Sequence, residues 1–184
     1  MKTRFFITLM ALASLTISCK DEKSLDAVKT EEVDKNFKVI LNAVVNENDS
    51  FQLYYTEEAF GVPGHSAPYQ EENSIWVDVK GNTSAQDIVF TFPEDVIPTY
   101  IRMDFGTNSN QKEITINNFT MSYMDKKFEA KGSLYFNYFV PNQSIKVENG
   151  VAGLIKPMKM SSGIYDPLFY SDLPLFNEIQ KLIK

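Results

Sequence analysis

Along most of the chain, apolar and polar residues alternate with a period of two. Phe37, Val39, Leu41, Ala43 and Val45 share one face of residues 37–45, with Lys38 and Asn42 on the other. After Asn46-Glu47-Asn48-Asp49 the pattern resumes at Phe51, Leu53 and Tyr55. Ile75, Val77 and Val79 form a third set, Ile88, Phe90 and Phe92 a fourth across the Gly81-Asn82 turn, and Ile101, Met103 and Phe105 a fifth. Successive side chains leave a strand on opposite faces, so this alternation predicts half-buried antiparallel strands, punctuated by Gly, Pro, Asn and Asp. Many short strands of this kind predict a mainly β fold, an antiparallel β-sandwich of jelly-roll-like type.

The pattern shifts in residues 112–124. Ile114 and Ile116 have one parity, whereas Phe119, Met121 and Tyr123 have the other. One extra residue near Asn117-Asn118 is expected, as a β-bulge or a break between two strands. Asp125-Lys126-Lys127 reads as a tight turn into residues 128–131. Residues 133–139 fit either a helical turn or a strand, ended by Pro141-Asn142, and residues 144–148 fit one more short strand. In the segment Pro174 to Ile183, apolar residues fall at Leu175, Phe176, Ile179, Leu182 and Ile183, which predicts a short C-terminal helix packed on the sandwich.

The first residues follow another logic. Lys2 and Arg4 precede an uncharged apolar run, Phe5 to Ile17, which is short for a membrane span but suits a secretory signal. The run ends at Thr16-Ile17-Ser18-Cys19, directly before the only cysteine. These residues resemble a bacterial lipoprotein box, although Leu15 sits one place earlier than the usual leucine. Cys19-Lys20-Asp21-Glu22 is similar to the export signal of Bacteroidota lipoproteins. The resemblance implies lipidation at Cys19 and a place in the outer membrane facing the cell exterior. An ordinary cleaved signal with an incidental cysteine, or an uncleaved anchor, are the alternatives. The expected organisation is a signal peptide over 1–18, an acylated Cys19 with a charged flexible tether over 19–36, and a β-sandwich with its helical extension over 37–184.

Composition narrows the function classes. The 184 residues carry a formal charge of -6, against the basic surface that nucleic acid requires. One cysteine and one histidine leave no disulfide framework, no cysteine-cluster zinc site and no paired-histidine metal motif. No glycine-rich nucleotide fingerprint is present, and no cofactor is expected.

A further resemblance covers roughly residues 37–124. Phe51-Gln52-Leu53-Tyr54-Tyr55, a loop with Phe60, Ile75-Trp76-Val77-Asp78-Val79-Lys80-Gly81, Gln86-Asp87-Ile88-Val89-Phe90-Thr91-Phe92-Pro93 and Tyr100-Ile101-Arg102-Met103-Asp104-Phe105 carry it. Together they look like a β-sandwich module of Bacteroidota proteins, similar to galactose-binding and carbohydrate-binding-module folds and found beside polysaccharide-handling machinery. Phe105-Gly106 stands where such modules commonly have proline. The resemblance implies a sugar connection and brings no catalytic residues with it.

Strand parity selects the candidate site. Trp76 shares its face with Ser74, Asp78 and Lys80, Tyr54 with Gln52 and Thr56, and Tyr100 with Arg102 and Asp104. Large aromatics on polar faces need a cover or a ligand. Rings stack on the apolar faces of sugars while Asp, Gln and Arg bond hydroxyls, so Trp76, Tyr54, Arg102, Asp78 and Tyr100 form the expected binding set. Residues 57–73 or 133–183 could equally cover these rings, and the three strands need not be neighbours.

Other residues offer weaker chemistry. His65 lies in the long connection Glu57 to Asn73, where a plain loop histidine is the simpler reading. Glu57, Glu58, Glu71 and Glu72 could include a glycosidase pair, and Asp104, Asn108 and Asn110 could ligate calcium. No G-x-S-x-G elbow accompanies His65. The expectation is therefore a non-catalytic cell-surface binding protein, anchored in the membrane through Cys19, with glycan as ligand. The alternative is a protein-interaction or assembly subunit with a protein partner in an outer-membrane complex.

Overall fold

The computed structural model describes residues 34–57, 62–148 and 153–184. The signal segment 1–18, Cys19, tether residues 20–33, and Glu58, Phe60 and Gly61 of the long connection lie outside the described residues.

Two antiparallel sheets form a β-sandwich. The strands are β1 (Lys38–Val45), β2 (Asp49–Thr56), β3 (Ser74–Val79), β4 (Asn82–Thr91), β5 (Tyr100–Asp104), β6 (Ile114–Tyr123), β7 (Lys126–Lys131), β8 (Phe139–Pro141), β9 (Ile145–Val147), β10 (Leu154–Pro157) and β11 (Leu168–Ser171), followed by helix α1 (Leu173–Leu182). One sheet has the order β4-β1-β6-β10-β9, with β7 also paired to β6, and the other β3-β2-β5-β11-β8. The chain switches sheets at Asn46–Asn48 and again at Gly81, where the Gly81 N–H donates to Asn48 Oδ1 at 2.8 Å.

The alternating positions face inward as expected. Val39, Leu41, Phe51, Leu53, Ile88, Phe90, Ile101, Met103 and Phe105 are all essentially inaccessible. Aromatic rings join the two layers: Phe119 of β6 lies 5.0 Å from Phe139 of β8, and Tyr55 of β2 lies 5.1 Å from Phe92 just after β4. Truncating a core ring such as Phe169 to alanine would cost about 3–5 kcal/mol, because the surrounding atoms only partly collapse.

The parity break in residues 112–124 is a bulge within one continuous strand. Asn118 pairs with Asn42 and Ile116 with Ala43, so Asn117 is the extra residue. It points outward and donates to Asn42 Oδ1 at 3.1 Å. The turn into β7 falls one residue earlier than expected, at Met124-Asp125, with Met124 at φ 53°. Residues 133–139 take both forms the sequence allowed, a 3-10 turn over Gly132–Asn137 and then the start of β8.

Helix α1 starts where its chemistry dictates. The Asp172 side chain accepts from Leu173 N at 2.8 Å, Pro174 occupies the first turn, and Leu175, Ile179 and Leu182 are buried. β10 and β11 are strands that the alternation did not predict. β11 sits between β5 and β8 and extends the sheet that carries the candidate site.

Candidate functional site

The outer face of the five-stranded sheet carries all five candidate binding residues. β3 pairs with β2 so that Trp76 lies opposite Gln52, Ser74 opposite Tyr54, and Asp78 opposite Ser50. β2 pairs with β5 so that Gln52 lies opposite Asp104, Tyr54 opposite Arg102, and Thr56 opposite Tyr100. The three strands are neighbours, and two adjacent rows cross them: Trp76, Gln52, Asp104, then Ser74, Tyr54, Arg102. Trp76, Tyr54 and Arg102 are thereby brought together. Asp78 lies one row beyond Trp76 and is exposed, donating nothing and accepting from Ser50 Oγ at 2.6 Å. Tyr100 lies one row beyond Arg102 on the other side.

Exposure separates the aromatics. Trp76 is 52% exposed, whereas Tyr54 is 9% and Tyr100 4% exposed. Tyr100 lies beneath Phe176 of α1, ring centroids 6.0 Å apart, and against Ala67 of the preceding connection. Gly64 permits that approach, since a Cβ there would sit 1.7 Å from the Ser171 carbonyl oxygen. Tyr100 is thus a packing residue and is corrected out of the open binding set. Tyr54 is corrected in part. The Arg102 guanidinium carbon lies 4.0 Å above its ring, and its hydroxyl donates to Glu71. Parity reports which face a residue occupies, and is silent on what later crosses that face.

Arg102 is held from three directions. Its Nε donates to Asp104 Oδ1 at 2.8 Å and a terminal nitrogen to Oδ2 at 2.5 Å, a two-pronged charge-assisted contact. Its guanidinium stacks on Tyr54 and lies 5.7 Å from the Tyr69 ring. Burial pushes the Asp104 carboxyl up from its ordinary value; the Arg102 hydrogen bonds oppose this, and Asp166 and Glu71 push it further up.

Glu71 is the hub that the sequence did not single out as such. Its carboxylate accepts from Tyr54 Oη and, at 3.0 Å, from Gln52 Nε2; Gln52 also donates to Ser74 Oγ at 2.9 Å. Ser74 Oγ donates in turn to the Glu71 carbonyl at 2.7 Å. The Tyr54 hydrogen bond holds the Glu71 carboxyl below its ordinary range against desolvation, with help from Gln52, the Trp76 side chain and Arg102. A lowered pKa is the reverse of what a general acid needs.

Between Trp76 and the segment 158–167 the face opens into a recess of about 200 Å³. Trp76, Gln52, Tyr54, Arg102 and Asp104 line it from the sheet, and Tyr165 and Asp166 from the segment. Enclosed small-molecule sites run about 300–1,000 Å³, so this space takes one ring-sized group beside an exposed indole. Its lower rim is fixed by Asp49, whose Oδ1 accepts from the N–H groups of Ser50, Thr107 and Asn108 at 2.9–3.1 Å. Gly106, at φ 88°, is required there: a Cβ would lie 2.1 Å from that carboxylate oxygen.

The weaker candidates disperse. His65 is exposed on a 3-10 turn, edge-on to Tyr170 at 6.5 Å. Asp104 is committed to Arg102, while Asn108 Oδ1 accepts from Asn110 N at 3.0 Å, so the proposed calcium trio does not converge. Among the described residues no three acidic, histidine or cysteine side chains are grouped for a metal. Glu57 and Glu72 are exposed and make none of the hydrogen bonds that organise Glu71. Among the described residues no helix is long and apolar enough to cross a membrane.

Tyr165 and Asp166 escaped sequence reasoning because residues 149–173 show no sustained alternation. The short apolar run Leu168-Phe169-Tyr170 was the available signal. No family model matches the chain, and neither a curated protein nor a solved structure does.

Proposed function

We propose that this chain is a lipid-anchored, non-catalytic binding protein of the cell surface, and that its ligand is a glycan held on the Trp76 face. One observation carries the reading: an indole half exposed on a polar sheet face, beside a ring-sized recess lined with hydrogen-bonding groups. A sugar ring stacked on Trp76 would cover roughly 100 Å² of apolar surface, worth about 2 kcal/mol. That implies weak binding per site and strong dependence on a single side chain. The reading also draws on the lipoprotein-like Cys19 segment and on the likeness to sugar-binding sandwich modules.

Non-catalytic behaviour is supported by the state of the acids. Both oxygens of Asp104 are engaged by Arg102, and Glu71 is held below its ordinary carboxylate range, away from the protonated form a general acid needs.

The test is a glycan array probed with the full-length chain and with Trp76→Ala. Saturable binding that falls about 10- to 50-fold in the variant is expected, with unfolding unchanged because the ring is already half exposed. Mass spectrometry of the mature protein should find an acylated Cys19 at its N-terminus. Binding to no glycan, together with co-purification of a fixed protein partner, would favour an assembly subunit. Turnover of a glycan abolished by Asp104→Asn or Asp166→Asn would overturn the non-catalytic claim.

A further inference from the structure

We propose that the recess beside Trp76 admits uncharged sugar units and rejects acidic ones, and that Asp166 sets this choice by accepting sugar hydroxyls at the rim. The inference rests on the glycan reading above and narrows it to a ligand class.

The first support is how Asp166 is mounted. Its backbone N–H donates to Ser144 Oγ at 3.4 Å, and its carbonyl accepts from Asn142 Nδ2 at 2.6 Å. Asn142 Oδ1 also accepts from Ser144 N at 3.0 Å and from Leu168 N at 3.4 Å. Phe105 N donates to the next carbonyl, that of Pro167, at 2.8 Å. The main chain around Asp166 is thus tied to the sheet on both sides, while its exposed carboxylate has no side-chain partner among the described residues. A fixed backbone with an unspent acceptor at the mouth of a recess is the arrangement that hydroxyl recognition requires, since little ordering remains to be done on binding.

The second support is charge. Among the described residues Arg102 is the only cation lining the recess, and Asp104 holds it in a two-pronged contact beside the Tyr54 ring. Asp166 then leaves the lining net negative, and Glu71 behind Tyr54 adds to it. Asp78, farther along β3, and Lys80, just past its end, cancel. A uronate or sulfated sugar entering here would meet uncompensated carboxylates in a partly desolvated space, where like charges a few ångströms apart cost far more than in bulk water. A neutral pyranose instead offers donors to those same oxygens, in charge-assisted hydrogen bonds.

The experiment uses the full-length chain and a panel of neutral polysaccharides (glucan, mannan, xylan, galactan) and acidic ones (polygalacturonate, alginate, heparin). The chain has one tryptophan, so its fluorescence reports on this face alone. Saturable shifts with at least one neutral polymer and none with the acidic polymers at low salt are expected. Asp166→Lys should gain binding to acidic polymers by about tenfold or more, and Asp166→Asn should relax the exclusion while keeping a neutral acceptor. Asp166 is exposed, and unchanged thermal unfolding confirms that each variant folds. Acidic polymers binding the unaltered chain as tightly as neutral ones, or exclusion unchanged in Asp166→Lys, would overturn the inference and leave the glycan reading standing. No response to any polymer would overturn both.

Discussion

Trp76 and Tyr135 show two opposite ways in which an aromatic residue departs from the balance of its surroundings. Trp76 leaves apolar surface in water, and Tyr135 takes a polar atom out of it. The Tyr135 ring is wholly buried, stacked on Phe139 with centroids 4.3 Å apart, and its hydroxyl has no partner among the described residues. A buried donor without an acceptor costs about 1–3 kcal/mol, so Tyr135→Phe is expected to raise stability by about 1 kcal/mol in chemical denaturation. A loss of similar size would show that the hydroxyl is bonded in solution. Trp76 differs because its exposure coincides with a recess and with the ordered side chains of Gln52, Tyr54 and Arg102. Its position was legible in the sequence, since Ile75 and Val77 fix its parity. The burial of Tyr54 and Tyr100 was not, because their covers come from Arg102, Glu71 and Phe176, which lie 17 to 76 positions away.

At the scale of elements, the early strands and the terminal helix could be read from alternation and from helical spacing because they are long. β10 and β11 have four residues each, too few for a period of two to stand out. The missed β11 left Tyr165 and Asp166, just before it, unplaced at the rim of the recess. The connection before β3 is the other decisive element, and Glu71 ties it to the sheet. Its folded-state pKa lies below the ordinary carboxylate value, so its contribution is fully present above that value and is lost as pH falls through the lowered one. Asp104 has the opposite sign, since its raised pKa favours the folded state in acid. Trp76 emission is therefore expected to change as pH falls below the ordinary carboxylate value and the Glu71 contacts are released. Glu71→Gln should remove that transition and weaken ligand binding at neutral pH. A transition that persists in the variant would place its origin elsewhere.

Seen whole, the described chain divides its labour between two layers. The aromatic-rich core between the sheets supplies the apolar burial that stabilises a domain near this size. The six-stranded sheet presents a mixed outer face along β1 and β6, with Lys38, Ile40, Asn42, Val44, Asn118 and Ser122 outward. On the five-stranded sheet, Phe176 of α1 and Ala67 of the connection 62–73 cover Tyr100, and the face is left open around Trp76. That division is what the proposed ligand platform requires. The most direct measurement is acrylamide quenching of the single tryptophan in the full-length chain, alone and with a neutral polysaccharide at saturation. Strong quenching in the free protein and clear protection when the polysaccharide is bound are expected. Weak quenching of the free protein, or quenching that no polysaccharide changes, would contradict the account.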